Sequence, residues 1–490
     1  MSARFRILAI DLFERGVVLR LPFRFGIVTL TACPQAFVRV RIATESGLEA
    51  QGCAAELLAP KWFDKNPALS NEDNFDQLRD ALGSGRDAYL SDPAPRSAFG
   101  HFAAHHRSHI DAAAARGLNP LVACFGPALL DRALLDALCR ASGVSFYDAM
   151  RANLGGVDTR LTADLAGFDL AAFLASRTPA ARIAARHTVG LVDPLDAEDV
   201  RVRVADGLPE TLEEVVATYG NRHFKLKVCG DAAQDLARLT RIAHVLDRLP
   251  DYVVTLDGNE QFQDAADATR FWQQASATPA LRRLVGATLY IEQPLPRAIA
   301  LDSDVSALAA ARPVLIDESD STLDSFPRAI GHGYTGVSSK NCKGIYRSML
   351  NAARCHQLNS RDTASGPRPR YFMSAEDLTT QAGLSVQQDL ALVNLLGLTH
   401  VERNGHHYVD GFAGQGAGPA ERQAFLQALP GLYEASDNNV RLAIHDGMID
   451  LSALTAPGFA SAATPEWSSL KPLACGTGKT APVPNLEGSP

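Results

Sequence analysis

Five apolar runs that end in charged residues follow one another along this chain, and their spacing constrains the fold most. The runs are HFKLKV (Lys225, Lys227), YVVTLDGN (Asp257), ATLYIEQP (Glu292), PVLIDES (Asp317) and YTGVSSKNCK (Lys340). Each is rich in Val, Ile, Leu, Tyr or Thr, which is typical of a short buried strand. One strand, one helix and two loops need about 30 residues. The spacing therefore predicts consecutive βα units.

The charges at the strand ends indicate a common site. In a closed barrel of parallel strands the carboxyl ends meet on one face, so Asp257, Glu292 and Asp317 would converge there. Lys225 and Lys227 are two residues apart and point to the same face of their strand. Three oxygen ligands suit a hard divalent cation such as Mg²⁺, and lysines beside a metal suit proton transfer.

Each of these residues also has an ordinary structural interpretation. A single aspartate at a strand end is commonly a helix cap, and Asp257-Gly is itself a turn signal. The two lysines of HFKLKV could lie on a solvated edge strand, and Lys340 could end its strand in solvent. Three acidic strand ends in consecutive units, flanked by lysine-bearing strands, favour the functional interpretation.

Composition limits the kind of partner. The 490 residues carry a net charge of −8, which argues against nucleic acid or an anionic membrane as the main partner. Neither a signal-peptide core nor an apolar run long enough to span a bilayer is apparent. The eight cysteines form no CxxC pair, so we expect reduced thiols in a cytoplasmic protein.

The chain divides into three predicted segments. Residues 1–140 are predicted to form an α+β capping domain, and residues 141–415 the barrel. Residues 416–490 would return to the capping domain and end in a tail rich in Pro, Gly, Ser and Thr. Within 159–200, RLTADLAGF and RHTVGLVDP are both strand candidates, and only one is needed as the first barrel strand.

The residues resemble a known family. KxK on one strand, then Asp, Glu and Asp ending the next three, then Lys, is similar to the lysine-type muconate-lactonizing and mandelate-racemase branch of the enolase superfamily. The words LDGN, IEQP, IDES and SSKNCKG match as well, and Lys343 falls where this branch often repeats a lysine. The resemblance implies an α/β fold, a modified TIM barrel of (β/α)7β type with an α+β N-terminal capping domain.

The resemblance also implies a role for individual residues. One Mg²⁺ ion would be bound by the three acidic strand ends. Lys227 and Lys340 would be acid/base lysines on opposite faces of the substrate, while Lys225 would stabilise the substrate carboxylate or lower the pKa of Lys227. Four further residues would support the metal or the substrate: Asn259, Glu318, Glu376 and Arg24.

The reaction implied is removal of a proton α to a carboxylate, giving an enolate that a metal and fixed cations stabilise. Lysines on both faces favour racemisation or epimerisation of a carboxylic acid or amino-acid derivative. A cycloisomerase or syn-dehydrating synthase would use the same pair, and a non-catalytic metal- or metabolite-binding protein is the alternative of another class. We expect a small-molecule carboxylate substrate, no nucleic-acid or membrane partner, and a homo-oligomer.

Two weaker signals favour structural interpretations. CGTGKT at 475–480 resembles a phosphate-binding loop, but Leu473 stands where that motif needs glycine. His101, His105 and His109 share one face of a predicted helix, and without an HExxH motif a packed or solvated face is the favoured interpretation.

Overall fold

An antiparallel sheet backed by helices forms the N-terminal part of the protein. The computed structural model describes residues 2–26, 28–362, 369–436 and 439–475. The sheet contains β1 (Phe5–Phe25), β2 (Val28–Thr44) and β3 (Glu49–Leu57), with β2 in the middle. The helices are α1 (Asn71–Leu90), α2 (Ala98–Ala115), α3 (Pro120–Ala141), α4 (Phe146–Arg151) and α5 (Leu170–Ala175).

Helix α3 lies at the centre of this part and is buried along most of its length. The Asn119 side chain caps it by accepting from two backbone amides of the first turn. Strand β3 crosses α3 at Gly52, where a Cβ atom would lie 2.2 Å from the Ala133 carbonyl oxygen. Glycine at this position allows the two backbones to touch.

Eight parallel strands close into a barrel. The strands are β4 (Arg182–Val189), β5 (His223–Lys227), β6 (Val253–Asp257), β7 (Thr288–Glu292), β8 (Val314–Ile316), β9 (Gly336–Ser339), β10 (Phe372–Ala375) and β11 (His400–Arg403). Neighbours in sequence are neighbours in the sheet, and β11 pairs with β4. This confirms the predicted capped TIM-barrel fold.

Helices fill the seven connections between successive strands. They are α6 (Leu212–Tyr219), α7 (Ala232–Leu246), α8 (Ala265–Ala277), α9 (Arg282–Ala287), α10 (Arg297–Ala300), α11 (Ser306–Ala311), α12 (Ser325–Gly331), α13 (Ile345–Arg361) and α14 (Leu384–Leu395). A capping box of Thr211 and Glu214 begins α6, and Gly220, with φ of 68°, ends it.

The C-terminal segment contacts both parts. It contains α15 (Gly405–Tyr408), α16 (Pro419–Ala428), β12 (Tyr433–Ser436), β13 (Asn439–Leu442), β14 (Met448–Asp450) and β15 (Lys471–Pro472). Strand β14 pairs with β4 of the barrel, and β15 pairs with β1. The tail from residue 476, with all of CGTGKT except Cys475, lies outside the described residues.

The region 159–200 contributes one barrel strand. RHTVGLVDP contains the end of β4, whereas RLTADLAGF contains a 3-10 turn at Ala163–Leu165, so its prediction as a strand is wrong. The histidine face of α2 is packed: His101 contacts the Phe5 carbonyl and His109 the Ala123 carbonyl. Among the described helices, none is long and apolar enough to cross a bilayer.

Candidate active site

The strand register places the predicted residues at one end of the barrel. Lys227 is opposite Asp257 on the next strand, and Asp257 is opposite Glu292 on the one after. Asp317 directly follows β8, and Lys340 directly follows β9. These side chains are all buried, the most exposed being Lys227 at 6%. The prediction that parallel strand ends bring the charges together therefore agrees with their placement.

Lys225 lies at the centre of four carboxylates. Its Nζ is 3.0 Å from Asp257 Oδ2, 2.9 Å from Glu292 Oε1, 2.6 Å from Glu376 Oε2 and 3.0 Å from Glu402 Oε2. Burial lowers the pKa of Lys225, but the carboxylates raise it more, and the result lies well above the ordinary value. Lys225 is thus a fixed cation within the barrel.

Two members of this cluster, Glu402 and Arg186, were missed by the sequence interpretation. Glu402 accepts from the Thr188 hydroxyl at 2.6 Å and from the backbone amide of Asp377 at 2.8 Å. Arg186 on β4 donates to Glu376 and, at 2.6 Å, to the Tyr290 hydroxyl. The sequence did contain a signal for both residues, because HVER places Glu402, and RHTV places Arg186, as a charged side chain on a predicted barrel strand.

The two proposed acid/base lysines are each paired with an aspartate. Lys227 Nζ is 2.6 Å from Asp257 Oδ2, and Lys340 Nζ is 2.6 Å from Asp317 Oδ2. Burial lowers the pKa of Lys340, but Asp317 raises it more, so the net direction is upward. Burial raises the pKa of Asp317, but Lys340 and Lys343 lower it by more, so the net pKa lies well below its usual range. A lysine that removes a proton near neutral pH needs a lowered pKa, whereas this charge arrangement raises the pKa of Lys340.

Residues of the capping sheet and the barrel line one cavity above these lysines. From the N-terminal part come Phe23, Leu30, Ala59 and Trp62, and from the barrel ends Lys227, Asn259, Lys340, Asp377, Leu378, Thr379, Glu402 and Asn404. The cavity encloses about 20 Å³, close to the space that one water molecule needs. Lys225 is not among the lining residues, and Arg24 is exposed.

Ion pairs and hydrogen bonds of Arg297, Glu260 and Lys65, together called the clasp, hold the N-terminal part over the barrel mouth. Arg297 donates to both carboxylate oxygens of Glu260, and to the backbone carbonyls of Trp62 at 2.8 Å and Phe63 at 2.9 Å. Lys65 adds an ion pair with Glu260 at 2.6 Å. The Trp62 ring is thereby positioned 4.3 Å from Lys340 Nζ, a cation–π distance.

The residues present fit a hard divalent cation by their chemistry. Within the described part of the chain, no three His, Cys, Asp or Glu side chains form a ready metal cluster. Lysines are paired with all three carboxylates of the predicted trio. Beside the trio, Asn259 Oδ1 and Glu318 Oε2 are buried without a hydrogen-bond partner. Anionic and orphaned oxygens together form the donor set that Mg²⁺ prefers, with the ammonium groups here supplying the positive charge.

A comparison with family models agrees with this geometry. Residues 207–366, which contain the strands from β5 to β9, match the model described as enolase C-terminal domain-like. This part of the barrel is similar to the C-terminal domain of the enolase superfamily. No curated protein sequence matches the chain.

Solved structures share the fold of this chain along almost its whole length. An enolase from Bradyrhizobium, complexed with magnesium and mandelic acid, is 17% identical with a TM-score of 0.57, covering 94% of this chain and 96% of that one. The L-Ala-D/L-Glu epimerase of Bacillus subtilis is 17% identical (TM-score 0.56; 93% and 98%). Muconate lactonizing enzyme of Pseudomonas fluorescens is also 17% identical (TM-score 0.55; 93% and 95%).

Proposed function

We propose that this chain is a Mg²⁺-dependent enzyme of the enolase superfamily that removes the proton α to a carboxylate, as a racemase or epimerase of a carboxylic acid or amino-acid derivative. The observation that carries the proposal is that Lys227 and Lys340, from strands on opposite sides of the barrel, line one cavity. One ammonium group can return a proton on the face opposite to the one from which the other amine removed it.

Asp257, Glu292 and Asp317 would hold the cation, with Asn259 and Glu318 beside them. When bound, Mg²⁺ neutralises these carboxylates and stabilises the negative charge that develops on the substrate carboxylate. Lys225 keeps Glu376 and Glu402 compensated, so that excess negative charge does not face the anionic substrate. Its proposed role is therefore electrostatic support rather than direct contact with the substrate.

The cavity also limits the substrate. Trp62 Nε1 and Asn404 Oδ1 are buried without hydrogen-bond partners, so they can donate to and accept from a substrate. Phe23 and Leu30 supply an apolar wall. A carboxylic acid with one hydrogen-bonding substituent and one apolar portion satisfies both groups, because a buried polar atom left without a partner is costly.

The experiment is proton exchange in D₂O, followed by NMR over a panel of chiral 2-substituted carboxylic acids. For an epimerase, Lys227→Ala should lose exchange from one stereoisomer and Lys340→Ala from the other, while the exposed Lys471→Ala is the matched control. For a cycloisomerase or syn-dehydrating synthase, one variant should abolish exchange and the other should mainly slow turnover. If both variants keep wild-type exchange and turnover, the non-catalytic binding protein replaces this proposal.

The metal assignment has a separate experiment. Calorimetry with MgCl₂ should show that Asp257→Asn weakens Mg²⁺ binding, because the variant loses an anionic oxygen of the donor set. Asp302→Asn is the control, since that side chain is 74% exposed and its pairing with Arg328 lies at the surface. Unchanged affinity in Asp257→Asn would remove this residue from the metal site.

A further inference from the structure

A second cavity lies beside the active site, on the other side of the loops that follow β10 and β11. It encloses about 200 Å³, whereas one water molecule needs only about 10–15 Å³ of such space. The loop after β10 contributes Thr380 and Gln381, and Arg403 is the last residue of β11. The connection after β4 contributes Gly207 and Leu208 as a roof. The cavity is therefore large enough for a small metabolite.

The two cavities share a thin wall. Thr379 and Asn404 line the active cavity, while the adjacent Thr380 and Arg403 line the second one. A Cβ atom on Gly405 would lie 2.4 Å from the Thr380 carbonyl oxygen, so the two loops pack backbone to backbone. The second cavity is thus a separate compartment and no extension of the substrate cavity.

Arg20 holds the roof in place. Its side chain, 4% exposed, pairs with Asp206 and donates to the carbonyls of His407 at 2.8 Å and Pro209 at 3.3 Å. Arg20 lies on β1, the strand that also carries Phe23 into the active cavity. The roof is therefore an ordered part of the fold.

Several polar atoms around this cavity have no hydrogen-bond partner. The Gln381 side chain is buried, and its Nε2 donates to the Thr379 carbonyl at 2.6 Å, which leaves Oε1 without a donor. Arg403 Nε and both ring nitrogens of His406 are also unpartnered. The cavity thus offers an acceptor, a donor and a ring that can serve as either.

The charges at this cavity are already compensated. Arg403 pairs with Asp389 and lies 3.5 Å from Asp377, and Arg441 pairs with Asp410 at 2.6 Å. The lining carboxylate Glu434 is 42% exposed and lies 3.1 Å from His445, so water solvates its charge. A ligand that satisfies the open positions must therefore carry both donors and acceptors, but it needs no charge. We propose that the second cavity binds a small, uncharged, polyhydroxylated molecule of the polyol or monosaccharide class.

The test is saturation-transfer NMR on the full-length protein with myo-inositol and D-xylose as neutral probes and L-glutamate as the charged probe. At least one neutral probe should bind. Thr218→Trp should abolish that binding, because the exposed Thr218 on α6 lines the mouth, whereas Ala217→Trp, also exposed on α6 but outside the lining, should retain it. His406→Phe keeps the ring and should weaken binding about 5–10-fold, the loss of one hydrogen bond.

Lys227→Ala separates this cavity from the active site, and neutral-probe binding should survive it. The proposal is overturned if neither neutral probe binds, if only L-glutamate binds, or if binding is lost in Lys227→Ala. Unchanged neutral-probe affinity in Thr218→Trp or His406→Phe would overturn it as well. Circular dichroism of the two tryptophan variants verifies that both are folded, so that a loss in Thr218→Trp reports on the cavity.

Discussion

Replacing Lys225 by methionine should strongly destabilise the metal-free protein. The ammonium group lies within 3.0 Å of oxygens from Asp257, Glu292, Glu376 and Glu402, all buried. Removing one partner of a buried ion pair costs about 3–5 kcal/mol, because the remaining charge is left uncompensated. Methionine preserves the volume, so the loss reports on charge rather than packing.

Lys227→Met is the matched comparison. Among the residues that the structure describes, Lys227 forms an ion pair with Asp257 alone, and Asp257 keeps Lys225 as a partner. We therefore expect a smaller loss, about 1.5–3 kcal/mol, the range of a hydrogen bond to a charged group. Excess Mg²⁺ at 100 times its Kd adds about 2.7 kcal/mol to the native state. At that same Mg²⁺ concentration the gain should be larger in Lys225→Met, because one ammonium group fewer competes for the carboxylates, while Lys227 and Lys340 keep their pairings.

The assay is urea unfolding followed by circular dichroism at pH 7.5, in EDTA and in Mg²⁺. The pKa of Lys225 is raised in the folded state, so its stabilisation is complete below the unfolded value of about 10.4. It is lost only as the pH rises through the folded value, and pH 7.5 therefore measures the whole effect. The reasoning is refuted if Lys225→Met is as stable as wild type in EDTA. It is also refuted if Mg²⁺ stabilises Lys225→Met and wild type equally.

Three further predictions concern the clasp, acid stability and packing. Arg297→Lys should raise KM more than it lowers kcat, because lysine cannot pair with both oxygens of Glu260 while also donating to the carbonyls of Trp62 and Phe63. Steady-state kinetics on the substrate found by proton exchange will check this. Burial lowers the pKa of His187 to about 3, so the unfolded chain takes up a proton below about pH 6.5 that the folded one does not. Wild-type stability should therefore fall with acid, and His187→Gln should remove about 1.4 kcal/mol per pH unit of that slope between pH 6 and 4, measured by urea unfolding; an unchanged slope contradicts the assignment. Gly52→Ala should cost about 1–3 kcal/mol, whereas Gly16→Ala, where a Cβ meets nothing within 4 Å, is the control in the same thermal melts.

The barrel could be predicted because its signals are local. YVVTLD and LYIEQP each combine a β-branched or aromatic run with a charge near the end, and the interval between them is long enough for the helical connection of α8 and α9. RLTADLAGF was wrongly predicted as a strand because its signal is also local. Its apolar residues suit a strand, but the chain there forms a turn before α5. Alternation over a few residues cannot distinguish a strand from a turn that packs one apolar side chain.

The candidate site was only partly predictable, because its charges are paired by residues far apart in the chain. Lys225 was predicted to stabilise the substrate carboxylate or to lower the pKa of Lys227. Its pairing with Glu376 and Glu402, more than a hundred residues away in the chain, could not be predicted from the sequence. Arg24 was predicted to support the metal or the substrate. In the structure its side chain is exposed, and the adjacent Phe23 lines the cavity. Strand alternation makes this difference, since neighbouring residues face opposite sides.

The sequence by itself determined the order of strands, the carboxyl-end position of the charges and the residue types available for a cation and two lysines. Periodicity and strand-end chemistry are local properties, and a parallel barrel brings all its strand ends to one face. Only the tertiary structure decided which charges compensate one another, how the clasp of Arg297 seats Trp62 on Lys340, and that a second cavity lies behind the loops after β10 and β11. Those features depend on contacts between distant segments, because electrostatic pairing and cavity shape are set by distances of a few ångströms.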